Sequence, residues 1–156
     1  MTEKKTLLVS AIKNGTVIDH LATGGAIKIL RLLDLASHKK LVTVGLNLKS
    51  KTSRFKDLLK VEDRELTEEE ANRVAIFSPE ATINIIKNYR VVKKFTVAIP
   101  KVVASLIVCP NPKCITNHEP METSFFVLHN GGKEVKLKCR YCEKIFHRDD
   151  IKEYKI

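Results

Sequence analysis

The residues best suited to chemistry are four cysteines in two close pairs. Cys109-Pro110-Asn111-Pro112-Lys113-Cys114 holds four residues inside the first pair, 24 residues follow, and Cys139-Arg140-Tyr141-Cys142 holds two inside the second. Two thiolates on one tight turn supply two corners of a tetrahedron, and a second such turn supplies the other two. Zn²⁺ held by four sulfurs, with Zn–S near ~2.3 Å, is the usual occupant, and such a site is structural because no coordination position stays open. The spacing favours metal over its alternatives, which are two disulfides, a dithiol redox pair at Cys139 and Cys142, and an iron–sulfur or rubredoxin-like iron site. His118, His129 and His147 lie nearby in sequence. With four sulfurs present they read as surface or packing residues rather than as a further ligand.

A second constellation is basic. Lys56, Leu58 and Lys60 share one face of an extended run by period two, and Lys94, beside Lys93, lies in another such run. Converging near Asp19 and His20, two or three lysines would grip a triphosphate and a ribose. Lysine acts as a point charge toward phosphate, and a carboxylate commonly accepts from ribose hydroxyls. The competing reading is a set of solvated edge lysines that discourage strand-to-strand aggregation. No nucleophile–base pair stands out, and neither a P-loop nor a GxGxxG pattern is present.

The elements that must position these residues are legible from periodicity. Leu7–Ile12 reads as a strand turned by Asn14-Gly15, with Thr16–His20 as a short extended segment. Thr23-Gly24-Gly25 opens a helix to about Ala36, with Ala26, Ile29, Leu30 and Leu33 as its buried stripe. Leu41–Leu48 and Phe55–Val61 form a hairpin across the polar loop Lys49–Ser53. Thr67 and Glu70 make a capping box for a helix ending before Ser78-Pro79, so Glu68–Glu70 serve the helix dipole rather than catalysis. Ala81–Ile86 and Val91–Ile99 read as strands, and Pro100 marks a boundary. Val102–Val108 leads to the first knuckle. Phe125–Leu128 and Val135–Leu137 are two short strands joined at Asn130-Gly131-Gly132.

The class is therefore α+β. Residues 1–100 follow β-α-β-β-α-β with an extra strand, a ferredoxin-like α/β sandwich with both helices on one face of an antiparallel sheet. The other face is left for a ligand, a second subunit or both. Residues 101–156 form a small zinc-ribbon or rubredoxin-like β domain.

Composition narrows the classes further. No apolar run approaches the ~20 residues that cross a bilayer, and no signal peptide is read at the start, so no membrane partner is expected and the cytoplasm is the default compartment. Net charge is +10, which calls for a polyanionic partner. Residues 1–100 carry 18 basic and 11 acidic side chains, residues 101–156 carry 10 and 7, so most of the excess lies outside the cysteine module. That distribution argues against a nucleic-acid finger. Aromatic residues are 6% with no Trp, a poor supply of stacking platforms for single strands.

The ordered blocks Ala11-Ile12-Lys13, Gly15–His20, Thr43–Leu48, Lys56–Lys60, Pro79–Asn84, Val108–Cys114 and Leu137–Glu143 closely resemble the regulatory chain of aspartate carbamoyltransferase, nearly end to end. The resemblance implies a non-catalytic subunit. Its first domain would bind nucleotide effectors (CTP and ATP, with UTP as a further candidate) and pair with its copy. Its zinc domain would dock on the catalytic chain, three regulatory dimers bridging two catalytic trimers in an enzyme of pyrimidine biosynthesis. By position, Lys60 and Lys94 match the family's phosphate and base-proximal lysines and Asp19 its ribose contact. Lys56 joins them on strand position. Val9, Ala11, Ile12, His20, Asn84, Tyr89 and Val91 match pocket-wall positions. Cys109, Cys114, Cys139 and Cys142 match the zinc ligands. Thr6 stands where familiar members carry a lysine late in the N-terminal arm, with Lys4 and Lys5 adjacent.

Overall fold

The structure is a computed structural model that describes residues 9–51, 55–131 and 134–154. Leu7 and Leu8 of the expected first strand, the arm with Thr6, part of the 49–53 loop and Gly132 lie outside them. The described residues form two antiparallel sheets. The first contains β1 (Gly15–Leu21), β2 (Val42–Lys49), β3 (Phe55–Glu62), β4 (Thr82–Lys87) and β5 (Arg90–Thr96) in the order β2-β3-β1-β4-β5. The second contains β6 (Val102–Ala104), β7 (Ser124–His129), β8 (Val135–Cys139) and β9 (Ile145–His147) in sequential order. Helices α1 (Gly25–Leu32) and α2 (Glu68–Phe77) follow β1 and β3. This is the ferredoxin-like order with β5 added at the β4 edge.

Alternation builds the first core. Ile18 of β1, Leu59 and Val61 of β3, and Ile83 and Ile85 of β4 point to one face. There they pack with Ala26, Ile29 and Leu33 from the α1 region and Ala71 and Val74 of α2. Leu30 packs against this cluster only in part. Gly15 is required where β1 begins: its φ is +140°, and a Cβ would lie 2.0 Å from the Val61 carbonyl oxygen. Thr16, fully buried, spends its hydroxyl twice, donating to the Arg64 carbonyl and accepting from the Leu66 N–H.

Three expected boundaries move and one strand is new. The described part of the first expected strand, Val9–Ile12, pairs with no strand, and the sheet begins at Gly15. Lys60 Nζ donates to the carbonyls of Val9 and Ser10, so this backbone's polar groups are engaged by a side chain rather than by a ladder. The first helix ends at Leu32, not Ala36, because Asp34 turns left-handed (φ +49°) and its carboxylate accepts from the Ser37 hydroxyl. That break re-aims Leu35 into the core. Strand β5 stops at Thr96, three residues early, and the Asn72 side chain captures the Ala98 N–H. β9 is a strand that periodicity did not reveal.

The capping box of α2 is present as read. Thr67 Oγ1 accepts from the Glu70 N–H at 3.2 Å, and Glu70 Oε1 accepts from the Thr67 N–H at 3.2 Å. Thr67→Ala is expected to cost about 1 kcal/mol, read as a lower denaturation midpoint at unchanged m-value. An unchanged midpoint would show that the box adds nothing to α2.

Candidate functional site

The metal centre is assembled at one end of the second sheet. Cys109 and Cys114 lie on the chain between β6 and a 3-10 turn (Ile115–Asn117); Cys139 ends β8, and Cys142 sits in the turn to β9. Backbone geometry makes each knuckle. The Cys114 N–H donates to the Asn111 carbonyl, and the Asn117 side chain donates to the carbonyls of Cys109 and Asn111, at 3.0 and 2.8 Å. The second knuckle closes through Glu143 N–H to Cys139 C=O and Cys139 N–H to Lys144 C=O, with Glu143 left-handed at φ +61°.

The four sulfurs lie within 4.8 Å of one another. Cys109–Cys142 and Cys114–Cys139 separations are both 3.8 Å. A tetrahedron with ~2.3 Å bonds has edges of about 3.8 Å, so the donor set fits a four-coordinate thiophilic cation. Disulfides do not fit: all four cysteines are free, and a disulfide needs ~2.05 Å between sulfurs. A thioredoxin-type pair does not fit either, because Cys139 and Cys142 bridge two strands rather than opening a helix. Burial pushes the Cys109 and Cys139 thiols up, whereas at Cys114 burial is outweighed by hydrogen bonds from Thr116 and the neighbouring thiols and its thiol is pulled down to about 7; a cation at the centre would favour the thiolate of each. None of the three histidines belongs to the cluster. His118 Nε2 contacts the Pro112 carbonyl and His147 Nδ1 accepts from the Asp149 N–H.

The basic constellation lies on the sheet face opposite the helices. Register places Thr43, Lys60, Val17, Asn84 and Lys94 directly opposite one another across β2, β3, β1, β4 and β5. Lys60 and Lys94 are three strand spacings apart, roughly 14 Å. Lys93, adjacent in sequence, is opposite Ile85 and therefore belongs to the other face, with its ammonium 5.2 Å from the Phe95 ring centre. Four residues toward the start of β3, Lys56 Nζ donates to Asp19 Oδ1 at 2.9 Å. Asp19 Oδ1 also accepts from the His20 N–H at 2.7 Å, and His20 is left-handed at φ +57° in a bulge of β1.

The remaining candidates surround this row. Val9 approaches Gly45, where a Cβ would meet its Cγ2 at 3.4 Å. Ile12 is buried, whereas Ala11 is exposed. The Tyr89 N–H donates to the Lys13 carbonyl, which ties the β4–β5 turn to the segment after Ile12. Tyr89 and Val91 are exposed. Sequence reasoning missed the Ser10 carbonyl as a partner of Lys60, and Thr43 and Val17 as members of the row; period two would have supplied the last two once the pairing was known. A cavity of about 490 Å³ lies away from this row, between the first turn of α2 and β6. Thr43, Lys60, Val17 and Asn84 of the row are half-buried and Lys94 is exposed, so among the described residues the row faces outward.

Electrostatics suit an anion there. Burial would raise the Asp19 carboxyl, but the Lys56 hydrogen bond, the His20 N–H and both side-chain charges outweigh it and the net shift is downward. Burial pushes the Lys60 ammonium below the ordinary lysine value, with Asp19 opposing the shift. Among the described residues, no helix is long and apolar enough to cross a membrane.

Comparison with known proteins agrees with both halves. Residues 7–98 match the family model described as aspartate carbamoyltransferase regulatory chain, allosteric domain, and residues 101–152 match the metal binding domain of the same chain. The aspartate carbamoyltransferase regulatory chain of Photobacterium profundum is 46% identical over 153 residues, covering 98% of this chain and 99% of that one. That of Vibrio cholerae is 45% identical over 153 residues, 98% of each. That of Chromobacterium violaceum is 48% identical over 148 residues, 95% of this chain and 97% of its own.

The lowered Lys60 pKa gives a pH signature. A polyanion bound against Lys60 would stabilise its charged ammonium, so its affinity would be full below the free-state pKa of Lys60 and fall as pH rises through it. Because burial has lowered that pKa, the fall begins below the ~10.4 of a solvated lysine. Calorimetric titration with inorganic tripolyphosphate between about pH 7 and pH 10 reads it, and Lys60→Arg, whose guanidinium stays charged, is expected to remove the decline. A pH profile shared by wild type and Lys60→Arg would take Lys60 out of the anion site.

Proposed function

The chain belongs to the aspartate carbamoyltransferase regulatory-chain family, and on that premise we propose how this non-catalytic chain works. Residues 1–100 bind nucleotide effectors of the CTP and ATP type. Residues 101–156 hold a structural Zn²⁺ on Cys109, Cys114, Cys139 and Cys142 and dock on a separate catalytic chain. The observation that carries the reading is the row Thr43–Lys60–Val17–Asn84–Lys94 on the open sheet face, beside the Lys56–Asp19 pair. Lys60 and Lys94 within it are roughly 14 Å apart, a span that suits an extended nucleoside triphosphate.

The division of labour follows from side-chain chemistry. Lys56, Lys60 and Lys94 supply positive charge to phosphates and base. Asp19, held ionised, accepts from ribose hydroxyls. Backbone groups of Ala11, Ile12 and Tyr89 read the base, with Val9, His20, Asn84 and Val91 as walls. Two chains pair through their first domains, and three such pairs bridge two catalytic trimers. The assembly works in the cytoplasm, where thiols stay reduced. An effector shifts it only by its differential affinity for the two quaternary states, typically ~1–3 kcal/mol of coupling. The metal supplies rigidity to the docking module and no open coordination site for substrate.

Two experiments test the reading. Calorimetric titration of the metal-loaded chain with CTP and with ATP at physiological salt is expected to give saturable, mutually competitive binding, and Lys60→Ala to weaken CTP by about tenfold or more, the worth of a charge-assisted contact. Basal catalysis of holoenzyme reconstituted with the variant stays unchanged. Unaltered CTP affinity in Lys60→Ala removes that lysine from the site. Separately, chelation or Cys114→Ser is expected to abolish assembly with catalytic trimers while nucleotide binding persists. Holoenzyme that forms without metal would rule out the docking role of the ion.

A further inference from the structure

We propose that Asp57 is a positioning residue for the effector site: from the opposite face of β3 its carboxylate sets the kink in β1 that brings Asp19 to Lys56. The inference rests on the nucleotide-binding reading above and goes beyond it, since Asp57 itself faces the helices and touches no effector.

Asp57 is fully buried, and among the described residues it makes no ion pair and its partners are backbone amides. Oδ2 accepts from the N–H groups of Gly24, at 2.9 Å, and Ala26, at 3.3 Å. Those amides open α1, and no side chain of the helix's own N-cap residue is available for them, because that residue is Gly24. Oδ1 accepts from the Asn47 N–H at 3.1 Å. One carboxylate therefore ties β3 to the start of a helix and to the neighbouring strand β2.

Both neighbours of β3 leave regular pairing at this residue. On the β1 side, Ile18 is opposite Leu59 and Leu21 is opposite Asp57, so three steps along β1 span two along β3. The extra residue lies in Asp19–His20, where His20 is left-handed. On the β2 side, Gly45 is opposite Leu58 and Leu48 opposite Lys56, again three steps against two, with left-handed Asn47 inside the excess. Bulges re-aim side chains and leave an amide without its ladder partner. The Asp57 carboxylate takes the Asn47 amide freed by one bulge. By holding Gly24 it also fixes where the β1–α1 connection ends, and hence the length of chain that must be absorbed at Asp19–His20.

The absorbed residue has a consequence on the other face. It places the Asp19 carboxylate 2.9 Å from Lys56 Nζ and directs its second hydrogen bond to the His20 N–H. Remove the anchor and the excess can migrate along β1, which moves Asp19 off the sugar end of the site without touching Lys60 or Lys94.

The amide variant Asp57→Asn isolates the effect. Asn has a single acceptor oxygen, so its NH₂ must face either the α1 amides or the Asn47 amide, donor against donor. The readout is affinity for CTP relative to 2′,3′-dideoxy-CTP, measured by calorimetry on the metal-loaded full chain. Wild type is expected to prefer CTP, and in Asp57→Asn that preference falls by about tenfold, the worth of a hydrogen bond to a charged acceptor, while affinity for inorganic tripolyphosphate changes less than twofold. Val74→Ala, a buried change in α2, supplies a destabilised control that is expected to keep the preference. Where Asp57→Asn does not fold, Asn47→Val at an exposed position loosens the carboxylate's tie to β2, since a β-branched residue disfavours the left-handed conformation of that bulge, and the same loss of preference is expected. A wild-type-like preference in the folded variant overturns the positioning role. Failure of the wild-type chain to bind CTP at all overturns the nucleotide reading instead, and with it this one.

Discussion

Four sulfurs within 4.8 Å of one another are the constraint on which the second half of the molecule depends. Three of them are buried, and they are also core residues: Cys109, Cys114 and Cys139 share one cluster with Val103, Ile107, Phe125, Val127, Val135 and Leu137. A small sheet whose core is built partly of metal ligands cannot separate folding from metal binding. Its strands are short, three to six residues, and few other side chains are available to replace that contribution. The cation thus stands where a larger domain would place more hydrocarbon.

The first sheet solves a different problem, which is how to keep an open basic face without losing the fold. The buried part of its helix-side face is apolar apart from two polar side chains, Thr16 and Asp57, and both satisfy backbone groups. That leaves the opposite face free to carry Lys56, Lys60 and Lys94, whose mutual repulsion is moderated by Asp19 and by the Val9 and Ser10 carbonyls. The two faces are coupled only where the strands depart from regular alternation. Ladder geometry fixes a row such as Lys60–Val17–Asn84 on its own, whereas the bulged end near Asp19 needs an anchor from the core side.

How much of this was legible in sequence divides by range. The cysteine knuckles are local patterns whose spacing alone restricts the chemistry, and their fit to a tetrahedron followed. The lysine face of β3 came from period two, which needs no knowledge of partners. Asp57 was opaque because its partners lie 10, 31 and 33 positions away, and an aspartate inside Lys-Asp-Leu-Leu-Lys carries no local sign of burial. The early strand was misplaced because alternation in Val9–Ile12 reports an extended chain, not whether it joins a ladder. Asp34 hid the end of α1 in the same way: a left-handed residue is a tertiary choice for aspartate, made here because it delivers Leu35 to the core. β9, three residues long, offers no period to detect.

The two halves meet through the helices. Leu32 of α1 and Ile76 and Phe77 of α2 belong to the cluster of the second sheet, Lys28 pairs with Asp149 at 2.7 Å, and the Tyr154 ring meets Phe77 edge-on at 6.0 Å. The sharing is unequal. The second cluster draws on these three helix residues, but the first, from Ile18 to Val97, contains no residue from beyond Pro100. Each of the three side chains is worth roughly 1.5–3 kcal/mol when fully buried, so loosening the metal module exposes a patch on the first half and weakens it. The first core itself stays complete. Dependence therefore runs mainly one way: the metal module needs the helices as part of its own interior, while the basic sheet uses the metal module as a cover for one end of each helix. A change in helix position must be felt in the second core, because Leu32, Ile76 and Phe77 are part of it and Lys28 of α1 is paired with Asp149.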